Sequence, residues 1–382
     1  MHVVAVLQYY TTDRHSDTCR HQDILTRLPS AWKITVLTSG AYLDEEDVRW
    51  HADHHPNMHL VVAPIAYRNE MGRFGRLMAF LRFMWFVMRY RASAPVDHVL
   101  ASSTPLTVGW LGRYLSRKWD VPWTFEVRDL WPDFPIQMGM IPLASVQRWL
   151  YRLERTLYAS ATNIIALSPG QARAVAQRTT TPVTKCYQGT LWARRAPGVS
   201  RRERFTVLYA GMLGRANGVD RLLGLVHELE QQDDVELFIA GQGWGADRVS
   251  AACASSKQSH FLGSLPRREL SPWFARVHAS LVLFEQLPVL GTNAPAKFFD
   301  SLAHGTPVVI VNDGWMREET LREGAGWYVP PGASLYAHLM RISGDRADWK
   351  ARSEAAAAWA DREFKREGHV AVYQQALEAV RP

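Results

Sequence analysis

Residues 291–312 read GTNAPAKFFDSLAHGTPVVIVN, and this stretch decides the fold because helix, stop and buried strand follow one another without slack. Pro295 suits a first helical turn, Phe298, Phe299 and Leu302 mark one apolar face, and Gly305 provides a left-handed stop before Pro307 forbids further helix. PVVIV then reads as a strand apolar on both faces, so helix plus strand make one unit of a parallel α/β sheet. Lys297, Asp300 and His304 recur at i, i+3 and i+7 and share a polar stripe away from the phenylalanines. Lys297 falls in the first turn, where free N–H groups and the helix dipole are positive, a place that disfavours a cation unless an anion is held beside it. A bound phosphate resolves the conflict; a solvated lysine on an exposed face is the competing reading.

Outward from this stretch, short apolar runs alternate with helical patterns along the whole chain, the signature of repeated βα units. A first sheet is expected from 3–7, 34–38, 60–65, 98–102, 124–127, 164–167 and 183–187. A second is expected from 205–210, 235–240, 260–262, 280–284, 307–311 and 327–329. Between them, ARRAPGVSRRER at 193–204 is polar, Pro- and Gly-containing, and reads as a linker. This divides the chain into a first domain over 1–192, a second over 205–360 and a C-terminal helix over 361–382. A chain of 382 residues is too long for one ordinary core.

The formal charge of +7 favours anionic partners such as nucleotides, polyanionic glycans or a membrane surface. Nucleic acid is not expected, because no helix-turn-helix, RNP-type strand or zinc-finger spacing is present. Cys19, Cys186 and Cys253 are odd in number and far apart, which supports neither a disulfide framework nor a cysteine metal site and fits a reducing cytoplasm. The first residues read as a strand rather than a signal peptide. Residues 73–92, RFGRLMAFLRFMWFVMRYRA, are interrupted by Arg82 and too short an apolar run to span a bilayer. Arg73, Arg76, Arg89 and Arg91 around Phe83, Trp85 and Phe86 suit a helix lying in a membrane interface; a helix buried against a sheet fits equally.

Four further stretches carry chemistry. In WTFEVRDLWPD, residues 123–133, Glu126 and Arg128 share one face of a strand that ought to be apolar and are placed to pair, while Asp129 stands at the carboxyl end, where ligands bind. Asp129 either meets an acceptor hydroxyl or caps the next helix. AGMLGRANG at 210–218 offers Gly211 and Gly214 for close backbone approach to an anion before a helix start, with Arg215 as a phosphate partner. Gly241, Gly243 and Gly245 lack the G-x-G-x-x-G spacing and the following acid of a dehydrogenase. His51, Asp53, His54, His55 and His59 form a histidine-rich stretch without an evident supporting shell, so no metal site is expected.

Taken together these motifs resemble the retaining nucleotide-sugar glycosyltransferases of family 4, in their bacterial polysaccharide branch, over nearly the whole chain. That family carries S/A-x-K-x-x-E followed by A-x-G-x-P-V-V, here represented by Lys297, Asp300 and the strand after Gly305. The resemblance implies a GT-B fold, two Rossmann-like domains facing across a cleft, with the C-terminal helix returning to the first. It implies Lys297 on the donor diphosphate, Asp300 on the ribose, Thr292 where the family has its earlier acid, and Phe261, Leu262 and Gly263 reading the base through the backbone. Asp129 and Lys297 become the catalytic pair, and His15, Ser16 and Arg128 the acceptor side, His15 and Ser16 standing where the family has a glycine pair. Met212 and Asn217 occupy positions that are Arg and Lys in the wider family. The implied partners are a UDP- or GDP-sugar, with no cofactor or metal, and a polyprenyl-linked saccharide at the inner face of the cytoplasmic membrane. A nucleotide-sugar 2-epimerase and a non-catalytic sugar-binding protein share this build.

Overall fold

The computed structural model describes residues 1–12, 19–65, 71–190 and 204–380. Within them every apolar run expected as a strand is one. The chain runs β1 (His2–Val6), α1 (Arg20–Leu25), β2 (Lys33–Ser39), α2 (Glu45–His54), β3 (Met58–Ala63), α3 (Arg73–Arg89), β4 (His98–Ser102), α4 (Leu106–Trp119), β5 (Trp123–Val127), α5 (Asp133–Gln137), α6 (Ala144–Ser160), β6 (Asn163–Ala166), α7 (Pro169–Ala176) and β7 (Val183–Lys185). It continues through β8 (Phe205–Ala210), α8 (Val219–Leu229), β9 (Val235–Ala240), α9 (Ala246–Ala254), β10 (Ser259–Gly263), α10 (Arg267–Arg276), β11 (Ala279–Val282), α11 (Ala296–Ala303), β12 (Val308–Ile310), α12 (Trp315–Glu323), β13 (Gly326–Tyr328), α13 (Leu335–Ser343), α14 (Arg346–Glu363) and α15 (Arg366–Glu378).

Two compact domains result. Residues 1–187 and 366–382 make the first and residues 188–365 the second. The divide thus falls a few residues from the expected 192 and 360. Thr190 pairs in parallel with Lys365, so both ends of the crossing chain belong to the second domain. The expected linker lies, apart from Arg204, outside the described residues. Helix α15 belongs to the first domain, packing on α1 and against β4 and β5.

Both sheets are wholly parallel. The first has the order β3-β2-β1-β4-β5-β6-β7 and the second β10-β9-β8-β11-β12-β13. The direction of winding therefore reverses between β1 and β4 in one and between β8 and β11 in the other, and at such points the crevice beyond the carboxyl ends of the strands is the place for a ligand. The central strands β1, β4, β5 and β6 are buried along their whole length, as a sheet covered on both faces requires.

Residues 291–312 form the expected helix, stop and strand. Pro295 is the N-cap of α11, and Gly305 adopts φ +63 just past its end. The polar stripe, however, is not on a solvated face: Lys297, Asp300 and His304 are all buried, as is every other described side chain of α11 after Ala296. Phe298 and Phe299 pack with Trp315, Trp359 and Phe364 from α12 and the end of α14, so one helix side is aromatic core. The other side faces the sheet and Thr190, and His304 closes the helix by bonding Asp300 O through Nδ1 (2.7 Å) and Ser271 through Nε2 (2.8 Å).

Candidate functional site

In the second domain the site assembles at the β8/β11 reversal. Lys297 is 8% exposed and, among the described residues, its Nζ has no hydrogen-bond partner. It lies 4.0 Å from the ring centroid of Tyr209 on β8 and 5.7 Å from that of Phe284 beyond β11. Two ring faces attract a cation but supply no counter-charge, and burial pulls the ammonium pKa down from 10.5 to about 7. The side chain runs beside the first glycine loop: a methyl group on Gly211 would stand 3.4 Å from Nζ. Tyr209 donates from its hydroxyl to the carbonyl of Met212 (2.7 Å), which pins that loop over the ring holding the lysine.

The neighbouring turns close around it. Gly211 N–H donates to Ala240 O (2.9 Å), Gly241 N–H to Gly263 O (2.8 Å) and Leu213 N–H to Gln242 O (2.8 Å). Gly241 approaches so closely that a side chain there would lie 2.0 Å from Gly211 O, the reason this position is glycine. Thus Gly211, Gly241, Gly263 and Lys297, far apart in sequence, meet at the carboxyl ends of adjacent strands. Gly214 bonds Asn217 through its carbonyl, and Gly218, at φ +61, begins α8 without a side-chain cap. Helix α11 likewise has no side-chain cap, so neither helix N-terminus here is closed by a capping side chain.

Arg215 is exposed, its guanidinium 5.1 Å over Trp244, with Arg248 5.4 Å over the same ring. It thus joins the second glycine turn rather than the lysine's pocket. Phe261, Leu262 and Gly263 end β10, where the pairing register with β9 slips between Phe261 and Gly263. The slip frees Leu262's backbone from the ladder, and Gly263 has open space around its α-carbon. Thr292 turns its hydroxyl onto Val289 O (2.7 Å) within a short 3-10 turn. Asp300 accepts a 2.6 Å bond from Thr190, which orients its carboxylate within the domain.

In the first domain a recess lies at the β1/β4 reversal, lined by Leu7, Gln8, Tyr9, His21, Ser102, Ser103, Thr104 and Arg128. The expected Glu126–Arg128 pair does not form. Glu126 is fully buried and is taken by His21 Nε2 (2.5 Å), Arg20 Nε (3.5 Å) and the hydroxyl of Tyr373 on α15. Residues i and i+2 of a strand share a face, which puts Glu126 and Arg128 on the same side, but the wholly buried carboxylate is satisfied by donors from the helices that cover it. His21 first, with Arg20 and Arg128, overcomes burial and holds the Glu126 carboxyl well below its ordinary value. Arg128 is left half-buried on the recess, its backbone fixed by Ser103 Oγ and by the side chain of Gln171.

Asp129 is half-buried and makes no hydrogen bond or ion pair among the described residues. Helix capping is excluded: α5 starts at Asp133 behind Pro132, with no side-chain cap. Burial raises its carboxyl pKa against the pull of Arg128. His15 and Ser16 lie outside the described residues. In the histidine-rich stretch His51 bonds Tyr10 OH (3.0 Å), and His54 stacks on Trp50 at 4.4 Å. Among the described residues no three metal-ligating side chains converge.

Sequence reasoning missed Tyr209, Thr190, His21, Arg20 and Tyr373. Only Tyr209 carried a signal, a hydroxyl-bearing ring inside the otherwise apolar FTVLYA strand.

Two doubly wound parallel-sheet domains, each with a strand-order reversal, are the architecture of the GT-B class. Residues 21–185 match the family described as glycosyl transferase 4-like domain, and residues 204–345 match glycosyl transferases group 1. The chain belongs to the family 4-like glycosyltransferases. No curated protein matches it in sequence. Among solved structures it is similar to sucrose-phosphate synthase from Thermosynechococcus elongatus, with TM-score 0.76 at 15% identity over 98% of this chain and 97% of that one. It is also similar to HepE of Anabaena in complex with UDP and glucose (TM-score 0.68, 15% identity, 100% of both chains). A third is WaaG, involved in lipopolysaccharide biosynthesis (TM-score 0.62, 13% identity, 97% of this chain and 99% of that one). At these identities the likeness is one of fold.

Proposed function

We propose that this glycosyltransferase moves a hexosyl group, with retention and without a metal, from a UDP- or GDP-sugar to a polyprenyl-linked saccharide in cell-surface polysaccharide assembly. The observation that carries the donor side is the buried Lys297 amine, with no hydrogen-bond partner on Nζ among the described residues, beside the Gly211 loop and two helix N-termini without side-chain caps. A diphosphate supplies the charge this group lacks, and the charge grows as the sugar–phosphate bond breaks, so the interaction strengthens toward the transition state. The peptide groups of Phe261–Gly263 read the base, Asp300 the ribose, and Thr292 the sugar; HepE, of the same fold, is seen with UDP and glucose.

On the acceptor side Asp129, with Arg128, orients the attacking hydroxyl. The new C–O bond forms as the old one to phosphate breaks, and the hydroxyl proton passes to the departing phosphate oxygen, which leaves as nucleoside diphosphate. A polyprenyl-linked acceptor puts this reaction at the inner face of the cytoplasmic membrane. The test is incubation with a panel of UDP- and GDP-sugars, with and without a lipid-linked saccharide, followed by NMR. Release of nucleoside diphosphate with an α-linked product from an α-linked donor is expected. A β-linked product overturns retention, a free 2-epimerised sugar makes the protein an epimerase, and tight binding without turnover makes it a binding protein.

A further inference from the structure

Large exposed hydrophobic side chains are not scattered over this molecule. Among the described residues there are twelve, and eight of them, Phe74, Leu77, Leu81, Trp85, Met140, Leu143, Val146 and Trp149, fall on α3 or on the approach and first turns of α6. On α3 the spacing 74, 77, 81, 85 follows one helix face, with Phe74 75% and Trp85 59% exposed. The opposite face is sealed: Ala79, Phe83 and Val87 are buried against the domain. Phe83, expected among the inserting rings, therefore belongs to the core, and α3 is both a packed helix and an exposed apolar stripe. Residues 143, 146 and 149 make a second stripe on α6, where Trp149 is 60% exposed.

These stripes belong to one layer. Helices α3 and α6 both pack on α4, which lies between them, and Lys118 of α4 ties to the carbonyls of Met88 and Tyr90 at the end of α3. The outward side of α4 adds a stacked Trp110–Tyr114 pair (5.6 Å) and the exposed Arg117 and Lys118. Over the three helices the sequence carries ten Lys or Arg and one acid, Glu154. That acid is buried and paired with Arg178 at 2.7 Å, so it neutralises nothing outside. Burial first, then the neighbouring Arg117, lowers the pKa of Arg113, and burial with Arg91 does the same for Lys118, so these cations lie close to one another.

We propose that the outer face of α3, α4 and α6 docks on an anionic lipid bilayer, tryptophans at headgroup level and arginines on lipid phosphates. Aromatic rings flanked by cations, on helices too short or too charged to span, are what an interface selects. A second copy is the poorer occupant, because pairing this face with itself sets like charges opposite one another. The proposal does not depend on sugar transfer, so vesicle binding and turnover fail separately.

The test is flotation of the full chain with vesicles of phosphatidylcholine alone or mixed equally with phosphatidylglycerol, at low and high salt. Wild type is expected on the anionic vesicles at low salt only. Removing two cations from α6 (Arg148→Gln with Arg152→Gln) should weaken partitioning about 25-fold, near five-fold per charge. The pair Arg82→Gln with Arg89→Gln on α3 should do the same, Trp149→Ser should reduce it further, and Lys257→Gln on the second domain should change nothing, all with unchanged melting temperature. Failure of wild type to float overturns the proposal. If the α6 variants bind like wild type while the α3 pair does not, the surface shared by α3, α4 and α6 is wrong. A concentration-dependent dimer in sedimentation, lost in Trp149→Ser and with no vesicle binding, gives the face to a second copy.

Discussion

Replacing Lys297 by methionine tests whether the ammonium is waiting for an anion. The wild-type amine, with its pKa drawn down to about 7 by burial, is about one-tenth protonated at pH 8. A diphosphate that restores the ordinary 10.5 therefore draws about 0.9 proton from solvent as it binds. Calorimetric titration with UDP in buffers of different ionisation enthalpy measures that number directly. The same linkage makes the Kd rise about nine-fold from pH 8 to pH 9, a range in which the terminal phosphate, with its second pKa near 6, no longer titrates. Lys297→Met should lose both the proton uptake and the pH slope and bind UDP far more weakly. The unliganded protein should respond in the opposite sense. The unfolded chain keeps its lysine proton up to about 10.5 while the folded one releases it near 7, so stability rises with pH across that window, by at most about 5 kcal/mol over 3.5 pK units. In Lys297→Met that rise should vanish and the variant should be more stable than wild type at pH 7. Wild type binding UDP at pH 8 without proton uptake would refute the reasoning, as would a methionine variant with unchanged affinity.

Three further outcomes are expected. Asp129→Asn should leave UDP affinity and melting temperature unchanged and lower transfer at least tenfold, about 1.4 kcal/mol of barrier; loss of UDP binding in calorimetry would move Asp129 to the donor side. Gly241→Ala, whose methyl would overlap Gly211 O, should displace the glycine loop and weaken UDP binding, whereas Gly224→Ala, with nothing within 4 Å, should stabilise α8 by up to about 1 kcal/mol with unaltered binding. Glu126→Ala should cost about 3–5 kcal/mol by leaving Arg20, His21 and Tyr373 buried without their carboxylate. Because the folded-state pKa of Glu126 lies below its unfolded value of 4.5, wild type should lose this stabilisation only as pH falls below that value, and the alanine variant should show a flatter acid limb in pH-dependent denaturation.

The order of the strands along the chain, the stop at Gly305 and the presence of a conflicted cation at Lys297 were all legible in the sequence. Strand and helix periods are local, and so are the φ demands of Gly305 and Pro307. What the sequence left open was which neighbour meets each polar group, since that depends on strand order and on helices far away in the chain. Lys297 has no hydrogen-bond partner on Nζ among the described residues, and what it meets instead is the ring face of Tyr209, 88 positions earlier, at 4.0 Å. Glu126 turns from its chain neighbour Arg128 because α1 and the returning α15 deliver three donors to a carboxylate that burial makes costly to leave unsatisfied. Segment 73–92 could not be settled as core or surface by periodicity, which reports that two faces differ but not what each one touches; packing on α4 assigned Phe83 to the core and left Trp85 outside.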